Sequence, residues 1–348
     1  MKNNRLAYIL IVILMAWMAI LSNDLKNTKK ANTSNIINEY EVNGISTDFT
    51  KVIDQVKPGV VTVNADGTIL SGFVYRQNDD EVYIVTAYHG VSNSNTISVI
   101  FGSSYSAVAE LLGHDLYTDL AVLRVNSPYI IEPMKLGDTT LLKQGEFVFS
   151  IGTPVSLDYA GSVELGMVSS ANLVLENTIS AEEERYNYYL NVIQLSSQLA
   201  AGYSGSPVIN MNGEVIGINT MALNSNTSFA ITVNEVRRVA DTIINNEELT
   251  HNYLGIKGKF IKDMYNYEKS NLNVSLDTID GLYAARVRDN SIAYAAGIRS
   301  GDIISSVNGI EIRSLNDYLD ILYMKADTFT FEYIRNGESA TAEVTNND

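Results

Sequence analysis

The 348-residue chain contains no cysteine. A disulfide scaffold, a thiolate nucleophile and a thiolate metal site are therefore all excluded. Histidine is scarce as well, with only His89, His114 and His251 present, and no H-E-x-x-H or other spaced histidine pair occurs. The sequence therefore does not indicate a zinc hydrolase, and any imidazole chemistry must use one of these three side chains.

Positive charge is scarce relative to negative charge. Lys and Arg number 24 against 40 Asp and Glu, which gives a formal net charge of −16. Binding to nucleic acid or to anionic lipid needs a basic surface, so neither partner is expected. Hydrophobic residues make up 46% of the chain and charged residues 18%, which is typical of chains with buried cores. We expect a folded protein of about two domains.

One long uncharged segment stands near the N-terminus. The run LAYILIVILMAWMAILSN holds 18 residues without a charge between Arg5 and Asp24. It approaches the shortest length for a membrane-spanning helix and exceeds most signal-peptide cores. We expect a transmembrane anchor with a short cytoplasmic tail over residues 1–22; cleavage after Ser22 is the alternative. A short tail before a first span generally stays inside, so the body is expected outside the cytoplasm.

The rest of the chain divides by pattern. Residues 23–49 are rich in Asn, Lys, Thr and Ser and are interpreted as a polar linker. From about residue 50 to 233, short runs of β-branched and aromatic residues alternate with turns, which favours an antiparallel barrel or sandwich. The predicted strands are PGVVTV at 58–63, EVYIVTAY at 81–88, TISVIF at 96–101, LAVLRV at 120–125, GEVIGINT at 213–220 and SFAITV at 228–233.

Two segments have helical spacing. The first, NEVRRVADTIINNEEL, follows the predicted strands and would close their domain, with a boundary near residue 248. The second lies in a C-terminal unit of mixed α and β character over residues 249–348. The apolar positions that share one face are Val236, Val239, Ala240 and Ile243 in the first helix and Leu315, Tyr318, Leu319 and Leu322 in the second.

The stretch GYSGSP places Ser204 between two glycines and ahead of a proline. A serine nucleophile needs a base and a third group that orients the base. His89 ends one predicted strand and Asp119 begins another, so the order His, Asp, Ser on a β domain matches the chymotrypsin-type arrangement. The amides of Gly202 and Ser204 would then bind an oxyanion. Each residue also has a purely structural interpretation, as a sharp turn, a polar strand end or a turn former.

These segments resemble the HtrA (Deg) family of trypsin-fold serine proteases from about residue 50 to the C-terminus. The resemblance places His89, Asp119 and Ser204 on the catalytic triad and Gly202 and Ser204 on the oxyanion hole. It implies a mainly β fold, with a chymotrypsin-like double β-barrel protease domain over residues 50–248. The matching stretches are FTKVIDQVKPGVVTV, YIVTAYHGV, HDLYTDLAVLRV, IGTPVSLDYAGSVELGMVSS, AAGYSGSPVINMNGEVIGINT and SFAITVNEVRRVADTII.

The C-terminal unit, residues 249–348, resembles the PDZ domain of the same family. YLGIKG at 253–258 matches the carboxylate-binding loop, and AAGIRSGDIISSVNGIEI matches the core run. The resemblance implies that an extended peptide adds a strand here and that backbone amides bind its C-terminal carboxylate. The residues expected to bind the peptide are Tyr253, Leu254, Gly255 and Ile256.

The resemblance also indicates specificity and its limits. It assigns the substrate pocket to Leu199, Ala222 and Leu223, without an Asp to attract Lys or Arg, so a small or aliphatic side chain is expected before the cut. The insertion at 173–189 lies where the family has its sensor loop, or is simply a solvated acidic loop. Tyr203 replaces the usual asparagine and Ser206 the usual glycine, which leaves efficiency and regulation open.

The function implied is that of a membrane-anchored, extracytoplasmic serine endopeptidase that needs no metal or cofactor. The resemblance further implies misfolded or damaged envelope proteins as substrates, binding of C-terminal peptides at the PDZ domain and a homotrimer. One alternative is a non-proteolytic PDZ adaptor or chaperone with a degenerate protease domain. An α/β-hydrolase using Ser204 is disfavoured, because it would leave His251 as the base and needs glycine where Ser206 stands.

Overall fold

The computed structural model describes residues 49–102, 105–181, 184–224, 227–270, 272 and 280–346. The predicted anchor over residues 1–22 and nearly all of the predicted linker lie outside these residues. In the described part of the chain, no helix has both the length and the apolar character required to cross a membrane.

The first barrel follows helix α1 (Phe49–Val56) and a 3₁₀ turn at Lys57–Gly59. Its strands are β1 (Val60–Ala65), β2 (Thr68–Asn78), β3 (Glu81–Ala87), β4 (Ile97–Phe101), β5 (Tyr105–Asp115) and β6 (Leu120–Asn126). They pair in the order β1-β2-β3-β6-β5-β4, and β4 pairs back onto β1 to close the barrel. The turn between β1 and β2 uses Asp66 and Gly67, both at positive φ, which matches the twist of a tight hairpin. Buried valines and isoleucines fill the interior.

The second barrel is built in the same way and is covered by one helix. Its strands are β7 (Phe147–Gly152), β8 (Ser162–Ala181), β9 (Glu184–Leu195), β10 (Pro207–Asn210), β11 (Val215–Asn224) and β12 (Thr227–Thr232), followed by α2 (Val233–Ile244). The barrel closes through pairing of β7 with β10. Helix α2 buries Val236, Val239 and Ala240 of its predicted face, whereas Ile243 is half-buried against Gly113 of the first barrel. The helix therefore contacts both barrels.

The insertion at 173–189 belongs to a long β-hairpin. Strands β8 and β9 pair from Val168 and Leu195 at the base to Ala181 and Glu184 near the tip. Its Tyr188, Tyr189 and Leu190 are buried. The segment is therefore not a solvated loop in the middle of β9, because these side chains pack into the body of the protein.

The C-terminal unit is a separate antiparallel sheet with short helices. Its elements are β13 (Ile256–Phe260), α3 (Asn266–Lys269), β14 (Leu282–Val287), α4 (Ile292–Ala295), β15 (Ile303–Val307), β16 (Ile310–Glu311), α5 (Leu315–Tyr323), β17 (Thr328–Arg335) and β18 (Glu338–Thr345). The sheet order is β13-β14-β15-β17-β18, with β16 on β15, so β13 is an edge strand. Helix α5 buries Tyr318, Leu319 and Leu322 of its predicted face. The predicted mainly β fold class is confirmed, whereas the domain boundary near residue 248 stays a prediction.

The buried carboxylate of Asp302 pairs with the partly exposed Arg335 in this unit, and loss of the pair is expected to destabilise the fold. Asp302 is 1% exposed, and its two oxygens accept hydrogen bonds of 2.7 Å from Nε and Nη2 of Arg335. Arg335→Ala would leave the buried carboxylate with the N–H of Arg299 as its remaining donor among the described residues, at a cost of roughly 2 kcal/mol in the free energy of unfolding. Denaturant unfolding measures the loss. Arg313→Ala, which breaks an exposed pair with Glu311, is the control and should change the stability by less than about 0.5 kcal/mol.

Candidate active site

His89 and Asp119 lie at adjacent strand ends in the first barrel. His89 sits in a 3₁₀ turn directly after β3, and Asp119 directly precedes β6, which pairs with β3. The Nδ1 atom of His89 lies 2.6 Å from Oδ2 of Asp119, and the backbone N–H of His89 donates to Oδ1 at 2.7 Å. The N–H of Tyr88 donates to the Asp119 carbonyl at 2.7 Å. These bonds hold Asp119 at φ +57°, a left-handed conformation that few non-glycine residues adopt.

Asp119 shifts the pKa of the His89 imidazole. The hydrogen bond that His89 donates to the Asp119 carboxylate raises the pKa of His89 above its ordinary value of 6.5, and partial burial opposes this shift. A neutral His89 that donates from Nδ1 leaves Nε2 as the proton acceptor. The His89 side chain is 51% exposed, so that nitrogen is open to a molecule bound at the surface.

The turn that carries Ser204 accepts only glycine on either side. Gly202 has φ +97° and Gly205 has φ +82°. A Cβ atom at Gly202 would lie 2.3 Å from the carbonyl oxygen of Thr153, and one at Gly205 would lie 2.1 Å from that of Ser71. The two glycines therefore let the backbone pack directly against neighbouring chain segments and leave Ser204 half-buried between them.

The serine turn abuts the strand that leads to His89. A Cβ atom at Gly205 would lie 2.9 Å from the backbone nitrogen of Ala87 and 2.5 Å from Oγ1 of Thr86. His89 follows two residues after Ala87. Two barrels thus contribute to one site, His89 and Asp119 from the first and Ser204 from the second.

Two backbone amides in this turn are available to a ligand. Across the described residues, neither the N–H of Gly202 nor that of Ser204 has an acceptor, and Ser204 Oγ makes no hydrogen bond to His89. The Ala201 carbonyl accepts a hydrogen bond of 2.9 Å from the N–H of Val155, which fixes the peptide that carries the Gly202 amide. Paired free amides beside a hydroxyl suit an oxyanion.

The two departures from the family pattern are both accommodated in the interior. Tyr203 is 5% exposed, and a Cβ atom at Gly152 would lie 2.8 Å from its ring. Burial, with a smaller contribution from Glu164, raises the pKa of the Tyr203 hydroxyl. Ser206 is fully buried, and its Oγ accepts a hydrogen bond of 2.9 Å from Asn219. Tyr203 and Ser206 therefore act as packing groups beneath the turn.

The predicted substrate pocket is only partly described. Leu199 is half-buried in the loop between β9 and β10. Ala222 and Leu223 lie on β11, but their side chains are outside the described part of the structure. The pocket assignment stays a prediction. Among the described residues, no three His, Asp or Glu side chains gather as metal ligands.

The predicted peptide-binding loop leads into the edge strand of the C-terminal sheet. Gly255 has φ +70°, and Ile256 begins β13. The carbonyls of Tyr253 and Leu254 accept hydrogen bonds of 3.3 Å from α4. In the described chain, the amides of Leu254 and Gly255 have no acceptor. The loop therefore presents free N–H groups beside an unpaired strand edge.

A groove of about 530 Å³ runs along this edge between β13 and α5. Its walls include Lys257, Phe260, Leu282, Leu315, Tyr318 and, from strand β9 of the second barrel, Tyr189. The ring of Tyr189 lies 5.5 Å from that of Tyr253. No sequence pattern predicts a role for Tyr189, because its position in the groove depends on how the β8–β9 hairpin reaches the sheet.

Comparisons with known proteins agree with this architecture. The family model of a trypsin-like peptidase domain matches residues 70–218, and that of a PDZ domain matches residues 283–335. The chain is 31% identical over 284 residues to the serine protease Do-like HtrB of Bacillus subtilis, covering 79% of this chain and 61% of that protein. It is 30% identical over 284 residues to the serine protease Do-like HtrA of Lactobacillus helveticus, covering 79% of this chain and 67% of that protein.

Solved structures share the fold. A serine endoprotease from Yersinia pestis aligns with a TM-score of 0.55 and 24% identity, over 86% of this chain and 98% of that one. The HtrA-type protease AlgW, solved with a tripeptide, aligns with a TM-score of 0.61 and 21% identity, over 86% of this chain and 96% of that one.

Fold and matches together define a trypsin-like peptidase domain followed by a PDZ domain. The chain belongs to the HtrA (Do-like) family of serine proteases. The resemblance inferred from the sequence motifs is thereby confirmed. The chain spans about three fifths of the length of the Bacillus subtilis relatives.

Proposed function

We propose that this protein is a serine endopeptidase in which Ser204 is the nucleophile, His89 the base and Asp119 the group that orients the base. The observation that carries the proposal is the pair of hydrogen bonds between His89 and Asp119, one of 2.6 Å from the ring and one of 2.7 Å from the backbone N–H. It lies next to a glycine-flanked serine turn with two free amides. Family membership gives independent support.

The reaction would follow two stages. Ser204 Oγ attacks the peptide carbonyl while His89 Nε2 takes its proton, and the amides of Gly202 and Ser204 bind the oxyanion. The intermediate collapses as the C–N bond breaks and His89 returns the proton to the leaving amine. Water then attacks the acyl-enzyme, again giving a proton to His89, and the acid product leaves as the proton returns to Ser204. Asp119 holds the imidazole and stabilises its protonated form throughout.

The free enzyme need not show the Ser204–His89 hydrogen bond. Catalytic hydrogen bonds are often long in the absence of substrate and shorten in the substrate complex. No metal or cofactor enters these steps.

The proposed role of the PDZ domain is to bind peptide C-termini at residues 253–256. An added strand would pair with the edge of β13, and the free amides of Leu254 and Gly255 would bind the carboxylate. The apolar side chains of Leu315 and Tyr318 line the groove for the last side chain of the peptide. AlgW, which shares the fold, was solved with a tripeptide and with a decapeptide.

We further propose an extracytoplasmic enzyme, anchored by residues 1–22, that cleaves misfolded or damaged envelope proteins as a homotrimer. The uncharged N-terminal run supports the anchor, and family membership supports the substrate class and the assembly. An alternative is a non-proteolytic PDZ adaptor, which the substitutions Tyr203 and Ser206 would favour. Since both side chains are buried as packing groups, we prefer the protease.

The test uses the full chain with casein as an unfolded substrate and a fluorophosphonate probe. We expect casein fragments by mass spectrometry, cuts after small or aliphatic residues, and a phosphonyl group on Ser204. If neither casein nor the probe reacts, C-terminal peptides are added. Recovery of both reactions would indicate a PDZ-gated protease, whereas continued absence of cleavage and label would support the adaptor.

The pH dependence of cleavage should follow the His89 pKa. The base must be neutral to accept the Ser204 proton, so kcat/KM is expected to rise with pH through the pKa of His89. Because Asp119 raises that pKa, the midpoint should lie above 6.5. Rates measured with a peptide substrate from about pH 5 to about pH 9 give the midpoint. A midpoint below the ordinary value would contradict a catalytic His89–Asp119 pair.

A further inference from the structure

Ser71 lies at the seam between the two barrels. It belongs to β2 of the first barrel and is fully buried. Its neighbours include the serine turn of the second barrel, and the pairing between β2 and β3 places it next to the strand that leads to His89. A hydroxyl buried at this point needs partners, because an unpaired polar group in the interior costs stability.

Ser71 makes four hydrogen bonds of 2.7–2.9 Å to neighbouring segments. Its Oγ donates to the carbonyl of Gly202 at 2.7 Å and accepts from the N–H of Thr153 at 2.9 Å. Its backbone N–H donates to the carbonyl of Ser204 at 2.9 Å, and its carbonyl accepts from Oγ1 of Thr86 at 2.7 Å. One residue therefore holds both ends of the turn at residues 202–204.

The side-chain bond matters because of where it acts. Gly202 has no side chain of its own to restrain it, and glycine rotates its peptides more freely than any other residue. Two bonds to neighbouring segments fix the peptides on either side of it. The N–H of Val155 holds the carbonyl of Ala201 at 2.9 Å, and the Ser71 hydroxyl holds the carbonyl of Gly202 at 2.7 Å. Together they set the direction of the Gly202 amide.

We propose that Ser71 is a positioning residue for the oxyanion-binding turn. Its hydroxyl keeps the amides of Gly202 and Ser204 aimed at one point, so the turn is arranged for the transition state before substrate arrives. The role rests on the proposed function. Ser71 would contact neither the substrate nor the reacting atoms, and its hydroxyl would act through the Gly202 carbonyl.

The test compares Ser71→Ala with the parent full chain. The substitution removes the hydroxyl and keeps the backbone bond to Ser204. We expect kcat to fall about 10- to 100-fold, which is less than the loss of an oxyanion donor itself, while KM changes less than about threefold. Binding of a peptide aldehyde, which forms an oxyanion on Ser204, should weaken by the same factor. Ser71→Cys, which retains a weaker donor of similar shape, should recover part of the loss.

Ser127→Ala is the matched control. Ser127 is 2% exposed, and its Oγ likewise donates to one backbone carbonyl and accepts from one backbone N–H, both of Tyr129. It lies after β6, away from the serine turn in sequence and contacts. A general loss of stability would affect both variants, whereas the change in kcat should occur only at Ser71. Thermal unfolding of each variant measures the stability directly.

Three outcomes decide the proposal. If the parent chain is active and Ser71→Ala has the same kcat, the role of Ser71 is overturned and the proposed function stays intact. The same holds if Ser71→Ala and Ser127→Ala lose kcat equally. If the parent chain neither cleaves substrate nor is labelled at Ser204, both the proposed function and this role of Ser71 are overturned. If Ser71→Ala does not fold, the comparison passes to Ser71→Cys, whose kcat must fall with KM retained.

Discussion

Ser204→Ala is expected to lower the rate of peptide cleavage at least about 10⁴-fold and to remove labelling by the phosphonate probe. Loss of the nucleophile ends the acyl-enzyme route, and what remains is binding and the oxyanion site, which supply only a part of the full rate acceleration. The hydroxyl makes no hydrogen bond to His89 in the described structure, so the fold should tolerate its removal. Initial rates with casein and thermal unfolding of both proteins provide the measurement.

The control for this variant is Ser196→Ala. Ser196 is exposed and accepts a hydrogen bond of 2.9 Å from the N–H of Met167. It stands on the approach to the same turn, so its loss reports any disturbance of the loop. The assignment of Ser204 would be wrong if both variants cleaved casein at comparable rates, or if the probe labelled another residue.

Asp119→Asn should reduce kcat/KM about 10⁴-fold near neutral pH while the fold remains intact. The geometry explains the size of the effect. Oδ1 accepts the backbone N–H of His89 and must stay an oxygen, so the amide group of asparagine would face Nδ1 of the ring. The ring would then carry its proton on Nε2 and could not accept one from Ser204. The same change should lower the pKa of His89, because the carboxylate that accepts its hydrogen bond and carries the neighbouring negative charge is gone.

Asp66→Asn is a matched control for this prediction. Asp66 is also at positive φ and its carboxylate also accepts backbone N–H groups, from Asn95 at 2.6 Å and Thr96 at 3.1 Å. It lies in the β1–β2 turn, apart from His89. We expect its kcat/KM to stay within about twofold of the parent, since surface changes away from a site have small effects. An equal loss in both variants would argue that Asp119 serves the turn alone.

Much of the architecture could be predicted because its signals are local. Alternating apolar residues and Asp-Gly turns predicted the strands, and helical spacing predicted α2 and α5. The boundaries shifted by a few residues: β1 begins at Val60, not at residue 58, because Lys57–Gly59 form a 3₁₀ turn around Pro58. The proximity of His89 to Asp119 followed from the family pattern, and the pairing of β3 with β6 provides its physical cause.

The rest could not be predicted because it depends on contacts between distant segments. A serine inside a strand carries no signal of its own, so Ser71 was missed, although it bonds to Gly202 across 131 positions. In the sequence, Tyr203 in place of the usual asparagine suggested that the oxyanion-binding turn was degenerate. In the structure its ring is buried beside Gly152, where it packs beneath the turn. The acidic composition at 173–189 did not predict a β-hairpin with buried tyrosines in the middle of its second strand.

The division of the site between two closed barrels has a consequence for how the protein loses activity. Each barrel closes through pairing of its own six strands. The proposed mechanism requires both barrels, because the proposed base His89 and the proposed nucleophile Ser204 lie on opposite sides of the seam. A slight separation of the barrels would move His89 away from Ser204 and abolish activity, while the strand pairing within each barrel remained. Activity is thus a more sensitive gauge of this seam than any spectroscopic measure of strand content.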